Sequence, residues 1–115
     1  MKLAYLDEAL VRCCRFMVAI GLHTEKMSLE EAKEFFVKNS FLSEVNAIQE
    51  AERGAFDPGY LNYTLGKIKL RELKKKFFKK FKDEYTLNDF HQKIVSIGVP
   101  TFDIAEKYIL ESKVI

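Results

Sequence analysis

The sequence predicts an all-α protein of about six helices, packed as an orthogonal or irregular bundle with short loops. Three observations favour this fold. Apolar residues recur at helical spacing along most of the chain, helix-capping residues precede several of these segments, and no segment alternates with period two. Because 115 residues suit one hydrophobic core, we expect a single helical domain over residues 1–115.

The first helix is predicted from Leu3 to Ile20, with Gly21 ending it. Its main apolar face has the three- and four-residue spacing of a helix and consists of Leu6, Ala9, Leu10, Cys13, Phe16, Met17 and Ile20. Other faces also carry apolar residues, namely Val11, Cys14, Val18 and Ala19. We therefore expect a central helix that is covered on more than one side. His23 and Thr24 are expected in the loop that follows.

Capping residues open the second and third helices. Ser28 and Glu31 form a capping box, in which each side chain accepts a hydrogen bond from the other residue's backbone N–H, and this helix is predicted to reach Lys38. The third helix is predicted from Ser43 to Arg53, ended by Gly54. Its inward-facing residues are expected to be Val45, Ile48 and Ala51.

The fourth helix is predicted to start at Pro58 and to extend as far as Phe81. Asp57 suits the N-cap position, and proline at the first helical position loses no helical hydrogen bond. Gly66, inside this helix, indicates a close approach of another backbone, a kink, or room for a ligand. The buried stripe is expected to consist of Leu70, Leu73, Phe77 and Phe81.

Two shorter helices complete the predicted fold. A polar break at Lys82–Tyr85 precedes a second capping-box sequence, Thr86–Asp89, which opens a helix to about Ile97. Thr101 is placed to cap the last helix, which is expected to continue through Ile109. Short loops therefore connect all the predicted elements.

Positive charge is concentrated in one segment although the formal net charge is only +2. Between Lys67 and Asp83, nine Lys and Arg residues face two acidic residues, a local excess of +7. This segment could bind an acidic partner or nucleic acid through Lys67–Lys82, or simply form a solvated helix face. Nucleic acid is the less favoured partner, because the aromatic side chains fall on the buried stripe and arginine is scarce.

Cysteine and hydropathy patterns favour a reduced, cytoplasmic protein without membrane contact. Cys13 and Cys14 are adjacent in a helical segment and cannot pair with each other in an ordinary disulfide, and no CxxC spacing occurs. Apolar runs are too short for a membrane span. The two histidines, His23 and His91, lie far apart in sequence and have no paired acidic partners.

Tyr60 and Tyr63 are the candidate site residues that follow from the pattern itself. Their i, i+3 spacing directs both phenols to the same side of the predicted helix, where a phenol can hydrogen-bond an oxyanion or a carboxylate. No nucleophile, metal site or general base accompanies them. The alternative is amphipathic packing, with the hydroxyls at the edge of the domain.

Three stretches carry a resemblance to a known family, in the family's order: RCCRFMVAIGLHTEKMSLEEA, QEAERGAFDPGYLNYTLGK and NDFHQKIVSIGVP. They resemble the C-terminal part of the prokaryotic family known as domain of unknown function 885. The resemblance implies a helical, gluzincin-like zinc metallopeptidase architecture, with an HExxH-like zinc motif upstream of the matched part. It also implies roles in a complete protein: Tyr63 would donate to the oxyanion, and Tyr60 and His23 would contact a peptide substrate.

This sequence has no HExxH or related spacing. Zinc is implied only for complete family members, and we expect no cofactor and no catalytic activity in this chain alone. By this interpretation the chain corresponds to a fragment, a truncated product, or one half of a split metallopeptidase whose zinc-binding N-terminal half is encoded separately. Without that half, apolar helix faces would be exposed, so we also expect a homodimer or higher oligomer.

Overall fold

The computed structural model describes residues 1–111 and, over that range, is all-α as the sequence predicts. No β-strand occurs among these residues, and the six α-helices are α1 (Lys2–Thr24), α2 (Leu29–Asn39), α3 (Glu44–Phe56), α4 (Asn62–Phe81), α5 (Leu87–Ser96) and α6 (Phe102–Glu111). Short 3₁₀ helices, Pro58–Leu61 and Lys82–Glu84, flank α4. No helix within residues 1–111 is both long and apolar enough to span a bilayer.

The chain divides into two compact units within α4. Unit 1 is Met1–Gly66 and contains α1 to α3 and the 3₁₀ helix Pro58–Leu61, whereas unit 2 begins at Lys67 and contains most of α4, α5 and α6. Each unit has its own cluster of buried apolar side chains. A single domain over 1–115 stays a prediction, and residues 112–115 of that range lie outside the described residues.

In unit 1, α1 packs against α2, α3 and the 3₁₀ helix. The core is built from the residues Cys14, Val18, Ala19, Ala32, Phe36, Ala47, Ala51 and Tyr60. The buried face of α1 is therefore the one that the sequence suggested as secondary. Leu6, Leu10 and Met17, predicted on the main face, are instead exposed.

Gly21 and Gly54 lie inside helices and do not end them. α1 continues to Thr24, so His23 lies in its last turn and not in a loop, and α3 continues to Phe56. Both glycines are buried where another side chain approaches the helix closely. A Cβ on Gly21 would lie 2.6 Å from Cε of Met27, and one on Gly54 would lie 3.3 Å from the Tyr60 ring. The two glycines therefore allow close packing, and a larger residue would require the Met27 side chain or the Tyr60 ring to shift.

The buried face of α3 is made of small residues: Ala47, Ala51 and Gly54. The expectation for Ala51 is confirmed, but the inward placement of Val45 and Ile48 is wrong, because these side chains are 66% and 43% exposed. Small side chains on this face let α3 approach its neighbours closely. Apolar spacing alone does not reveal that preference.

Both predicted capping boxes are present. The Ser28 hydroxyl accepts from the backbone N–H of Glu31 at 3.1 Å, and the Glu31 carboxylate accepts from the backbone N–H of Ser28 at 2.7 Å. Thr86 and Asp89 make the equivalent pair at 3.2 and 2.6 Å. These local interactions fix the starts of α2 and α5 at the positions that the sequence predicts.

The core of unit 2 consists of Leu73, Phe77, Phe90 and Ile109. Leu70 was also predicted to be buried, but it is 39% exposed. Lys93 is buried beside this core, where its Nζ donates to the backbone oxygen of Ile109 at 2.8 Å. Burial, and secondarily the charge of Lys80, lowers the pKa of Lys93. Among the described residues outside its own turn of helix, no atom lies within 4 Å of a Cβ placed on Gly66, so of the three alternatives for this glycine the close approach of another backbone is absent.

Candidate functional site

The two predicted site tyrosines lie in different elements and different surroundings. Tyr60 belongs to the 3₁₀ helix, which Asp57 caps by accepting from the backbone N–H of Gly59 at 2.9 Å. Tyr63 lies in the first turn of α4. Tyr60 is only 6% exposed, whereas Tyr63 is 70% exposed. Regular α-helical spacing would present the two side chains on one side, but the junction between the 3₁₀ helix and α4 lies between them and their surroundings differ.

Tyr60 is part of a hydrogen-bonded cluster with Glu50 of α3 and Arg15 of α1. The Tyr60 hydroxyl lies 3.0 Å from both the backbone oxygen and Oε2 of Glu50, and it can donate to either. Arg15 donates to the same carboxylate through two nitrogens, Nε at 2.8 Å and Nη2 at 2.6 Å. Its guanidinium also lies 5.4 Å from the centre of the Tyr60 ring. The cluster thereby connects α1, α3 and the 3₁₀ helix.

The electrostatics of this cluster keep Tyr60 protonated. Burial, followed by the charge of Glu50 and the hydrogen bond to it, raises the pKa of Tyr60 well above its ordinary value. Burial by itself raises the pKa of Glu50, but the hydrogen bond and charge of Arg15, with the Tyr60 hydroxyl, lower it overall. Glu50 is therefore ionised near neutral pH, and Tyr60 is a neutral hydrogen-bond donor that already has a partner.

Tyr63 presents its phenol at the surface beside a cation. The Arg12 guanidinium lies 5.7 Å from the centre of the Tyr63 ring and donates to Glu8 at 3.2 Å. The next residue, Thr64, donates its hydroxyl proton to the backbone oxygen of Arg12 at 3.0 Å, which holds the start of α4 against α1. An exposed hydroxyl donor next to a guanidinium suits an anionic group or a developing oxyanion.

His23 makes a structural contact in unit 1. Its Nε2 lies 2.9 Å from the backbone oxygen of Gly54, and since a carbonyl can only accept, the ring proton is on Nε2. His23 and Tyr60 thus both donate to α3, at Gly54 and Glu50 respectively. Sequence reasoning did not identify the partners Arg15 and Glu50, which lie 35 residues apart in the chain. No local spacing signals a pair so distant.

Metal binding depends on whether His, Cys, Asp and Glu side chains lie close enough together to act as ligands. In the range 1–111, no group of three or more His, Cys, Asp or Glu side chains is arranged to hold a metal ion. These residues therefore do not fit the zinc that the family resemblance implies for complete members.

Comparison with family models matches residues 1–109 to the family described as "Bacterial protein of unknown function (DUF885)". The match covers nearly the whole chain. Searches of curated proteins and of solved structures returned no match.

Proposed function

This chain belongs to the DUF885 family of bacterial proteins of unknown function, and on that premise we propose that it forms the substrate-facing, C-terminal part of a zinc-peptidase-like protein. The exposed Tyr63 phenol beside Arg12 is the observation that supports this function. In the proposal the chain is not catalytic alone. The zinc-binding centre comes from another segment or from a separately encoded chain, as in a split metallopeptidase.

Tyr63 is the proposed oxyanion donor. During peptide hydrolysis the scissile carbonyl oxygen becomes negatively charged, and a donor positioned for that charge lowers the barrier more than one that binds the ground state. The Tyr63 hydroxyl is exposed and can approach a substrate without the rearrangement of a buried core. The charge of Arg12 at the ring favours an anion at the same place.

Tyr60 and His23 are the proposed substrate contacts. Each already donates one hydrogen bond inside unit 1, to Glu50 and to Gly54. The Tyr60 hydroxyl could still accept a hydrogen bond from a peptide N–H, since a phenol is both donor and acceptor. If Tyr60 or His23 instead donates a hydrogen bond to the substrate, that side chain must first give up its present acceptor, Glu50 or Gly54. Both residues also connect α3 to the rest of unit 1 through these hydrogen bonds.

The test is peptide hydrolysis by the native protein. The protein is purified by affinity capture of this segment from the cytoplasmic fraction, where we propose that it resides. We expect Tyr63→Phe to lower kcat about 10²–10³-fold, the usual cost of losing one oxyanion donor, with little change in KM. Tyr85→Phe, which removes the same hydroxyl from unit 2, is the matched control and should leave kcat unchanged. Equal kcat values for the wild type and Tyr63→Phe, or no hydrolysis by the native protein, would exclude this function.

A second candidate function, a binding module for an acidic partner, is supported by the arrangement of cations on α4. Lys67, Arg71, Lys75 and Lys79 follow one another at four-residue intervals, and all four are exposed. Residues at this spacing share one helix face, where like charges repel each other. No ion pair between described residues includes Arg71, Lys75 or Lys79. An acidic partner would relieve this repulsion.

Binding to polyglutamate and to single-stranded DNA, measured by fluorescence anisotropy over a salt series, tests the second function. We expect polyglutamate to bind at low salt, and the triple change of Arg71, Lys75 and Lys79 to Ser to lower the affinity at least tenfold. The control is a second triple variant, in which three cations outside this row are changed to Ser: Lys2, Lys26 and Lys38. No binding to either polyanion at low salt, or equal effects of both triple variants, would argue against this function.

A further inference from the structure

Helix α1 carries an exposed apolar stripe with the spacing of a coiled coil. The stripe alternates steps of three and four residues: Leu3, Leu6, Leu10, Cys13 and Met17. These are successive a and d positions of a heptad repeat. The four large side chains are 79%, 52%, 37% and 52% exposed, and Cys13 is exposed as well. At 1.5 Å per residue the stripe is about 21 Å long.

Unit 1 does not use this stripe for its own core. The buried positions of α1 are Cys14, Val18, Ala19 and Gly21, which unit 1 covers. Near the start of the helix, Leu3, Leu6 and Leu10 line an open groove of about 670 Å³ together with Phe41, which is 83% exposed. Single exposed apolar residues are ordinary, but a contiguous apolar patch marks an interaction surface.

The heptad spacing restricts what can cover the stripe. Knobs-into-holes packing requires a facing helix with the same repeat, so that a and d side chains of both helices interdigitate along the seam. A second copy of α1 supplies that repeat. Apolar residues at steps of three and four occur on any helix face that packs against protein, so a stripe of this length favours a helical partner over a small apolar ligand. A second copy of α1 is such a partner, and its Lys2 and Asp7 also complement the charges beside the stripe.

The charges beside the stripe favour one orientation. With Leu3 at position a, Lys2 occupies a g position and Asp7 the e position five residues later. In a parallel, in-register pair, g of one helix faces the following e of the other, so Lys2 approaches Asp7 of the second copy, twice by symmetry. In an antiparallel pair g faces g and e faces e, so Lys2 lies opposite Phe16, Asp7 lies opposite Cys14, and no Lys2–Asp7 ion pair forms.

From these observations we propose that two copies of this chain associate through α1 as a short, parallel, in-register coiled coil. The seam is formed by Leu3, Leu6, Leu10, Cys13 and Met17, flanked by reciprocal Lys2–Asp7 ion pairs. The proposed seam contains none of the residues proposed to contact substrate, Tyr60, Tyr63 and His23, so the association of the chain is tested separately from peptide hydrolysis.

Analytical ultracentrifugation of the 115-residue chain tests the seam. We expect a concentration-dependent dimer in the wild type, and a monomer in Leu6→Glu and Leu10→Glu, because a charge on the seam would be buried without a partner. Val45→Glu places the same charge at a 66% exposed apolar position on α3 and should leave the dimer intact. Monomeric wild type at about 100 μM, or a Leu6→Glu dimer as tight as that of the wild type, overturns the proposal.

Charge exchange tests the orientation. Lys2→Glu should weaken the dimer severalfold, because it places Glu opposite Asp7 of the second copy. Adding Asp7→Lys to Lys2→Glu should restore the wild-type dissociation constant, since the pairs are then reversed. A double variant as weak as the single one would contradict the parallel arrangement.

Cys13 gives a direct readout of register. In a parallel, in-register dimer the two Cys13 thiols face each other at a d position, where mild oxidation with diamide removes both thiol hydrogens and forms a disulfide. We expect this crosslink in the wild type and in Cys14→Ala, since Cys14 is buried, but not in Cys13→Ser or in Leu6→Glu. A dimer that oxidation does not crosslink, or a crosslink that persists in Leu6→Glu, overturns the proposed register.

Discussion

Replacing Phe77 with alanine is expected to unfold unit 2. Phe77 is fully buried, and its ring lies 4.9 to 5.7 Å, centre to centre, from the rings of Phe81, Phe78, Phe90 and Tyr85. Removing such a side chain costs about 3–5 kcal/mol through lost transfer free energy and the cavity left behind. That loss is comparable to the whole free energy of unfolding of a small domain.

Urea unfolding followed by near-ultraviolet circular dichroism measures this effect. Phe56→Ala is the matched control, because Phe56 is 91% exposed and its truncation should change the free energy of unfolding by less than about 0.5 kcal/mol. Amide hydrogen exchange would show whether the protection lost in Phe77→Ala lies in α5 and α6. An equal decrease in the free energy of unfolding for Phe77→Ala and Phe56→Ala would mean that the aromatic cluster does not stabilise unit 2.

Replacing Glu50 with alanine is expected to destabilise unit 1 by about 3 kcal/mol. The side chains of Arg15 and Glu50 are only 20% and 17% exposed, so removal of the carboxylate leaves a largely desolvated guanidinium without its acceptor. The Tyr60 hydroxyl also loses one of its two acceptors, although the backbone oxygen of residue 50 remains. Removing one partner of a buried ion pair lowers the free energy of unfolding by more than the intact pair raises it relative to an apolar replacement of both residues.

The same cluster makes unit 1 sensitive to acid. The pKa of Glu50 is lowered from its ordinary value of 4.5, so the unfolded state binds the proton more tightly than the folded state does. The stability from this carboxylate is therefore present above about pH 4.5 and is lost as the pH falls through the lower folded-state pKa. Glu50→Gln should remove this part of the pH dependence.

Thermal unfolding at pH 7 and at pH 3 checks both expectations for Glu50. The exposed neighbour Glu52 provides the control, since Glu52→Ala removes a carboxylate from the same helix without breaking the cluster. The difference in stability between Glu50→Ala and wild type should be large at pH 7 and smaller at pH 3. A difference of similar size at the two pH values would show that the ionised carboxylate is not what stabilises unit 1.

Features encoded within a few consecutive residues could be predicted from the sequence. The capping boxes at Ser28 and Thr86 are examples, because the groups that bond to each other lie three residues apart and need no other part of the chain. Helical periodicity likewise gave the all-α fold and the six helices. Membership of the family could also be inferred, because its motifs are contiguous stretches.

The tertiary structure alone decided which apolar face of each helix is covered. Two candidate faces exist on α1, and unit 1 covers the one with Cys14 and Val18, leaving the heptad stripe exposed. Burial depends on the shape of the partner helices, and the small residues of α3 match one face and not the other. Hydropathy along a single helix contains no information about that match.

The environments of the site residues were also decided by tertiary contacts. Tyr60 and Tyr63 look equivalent in sequence, yet one is buried against Glu50 and the other is exposed beside Arg12. Gly21 and Gly54 read as helix ends, but close packing against Met27 and Tyr60 explains them. The sequence by itself determined the number of helices, the two capping boxes and the family, since these depend on neighbouring residues. Burial, pairing and exposure needed the folded chain, because they arise between residues tens of positions apart.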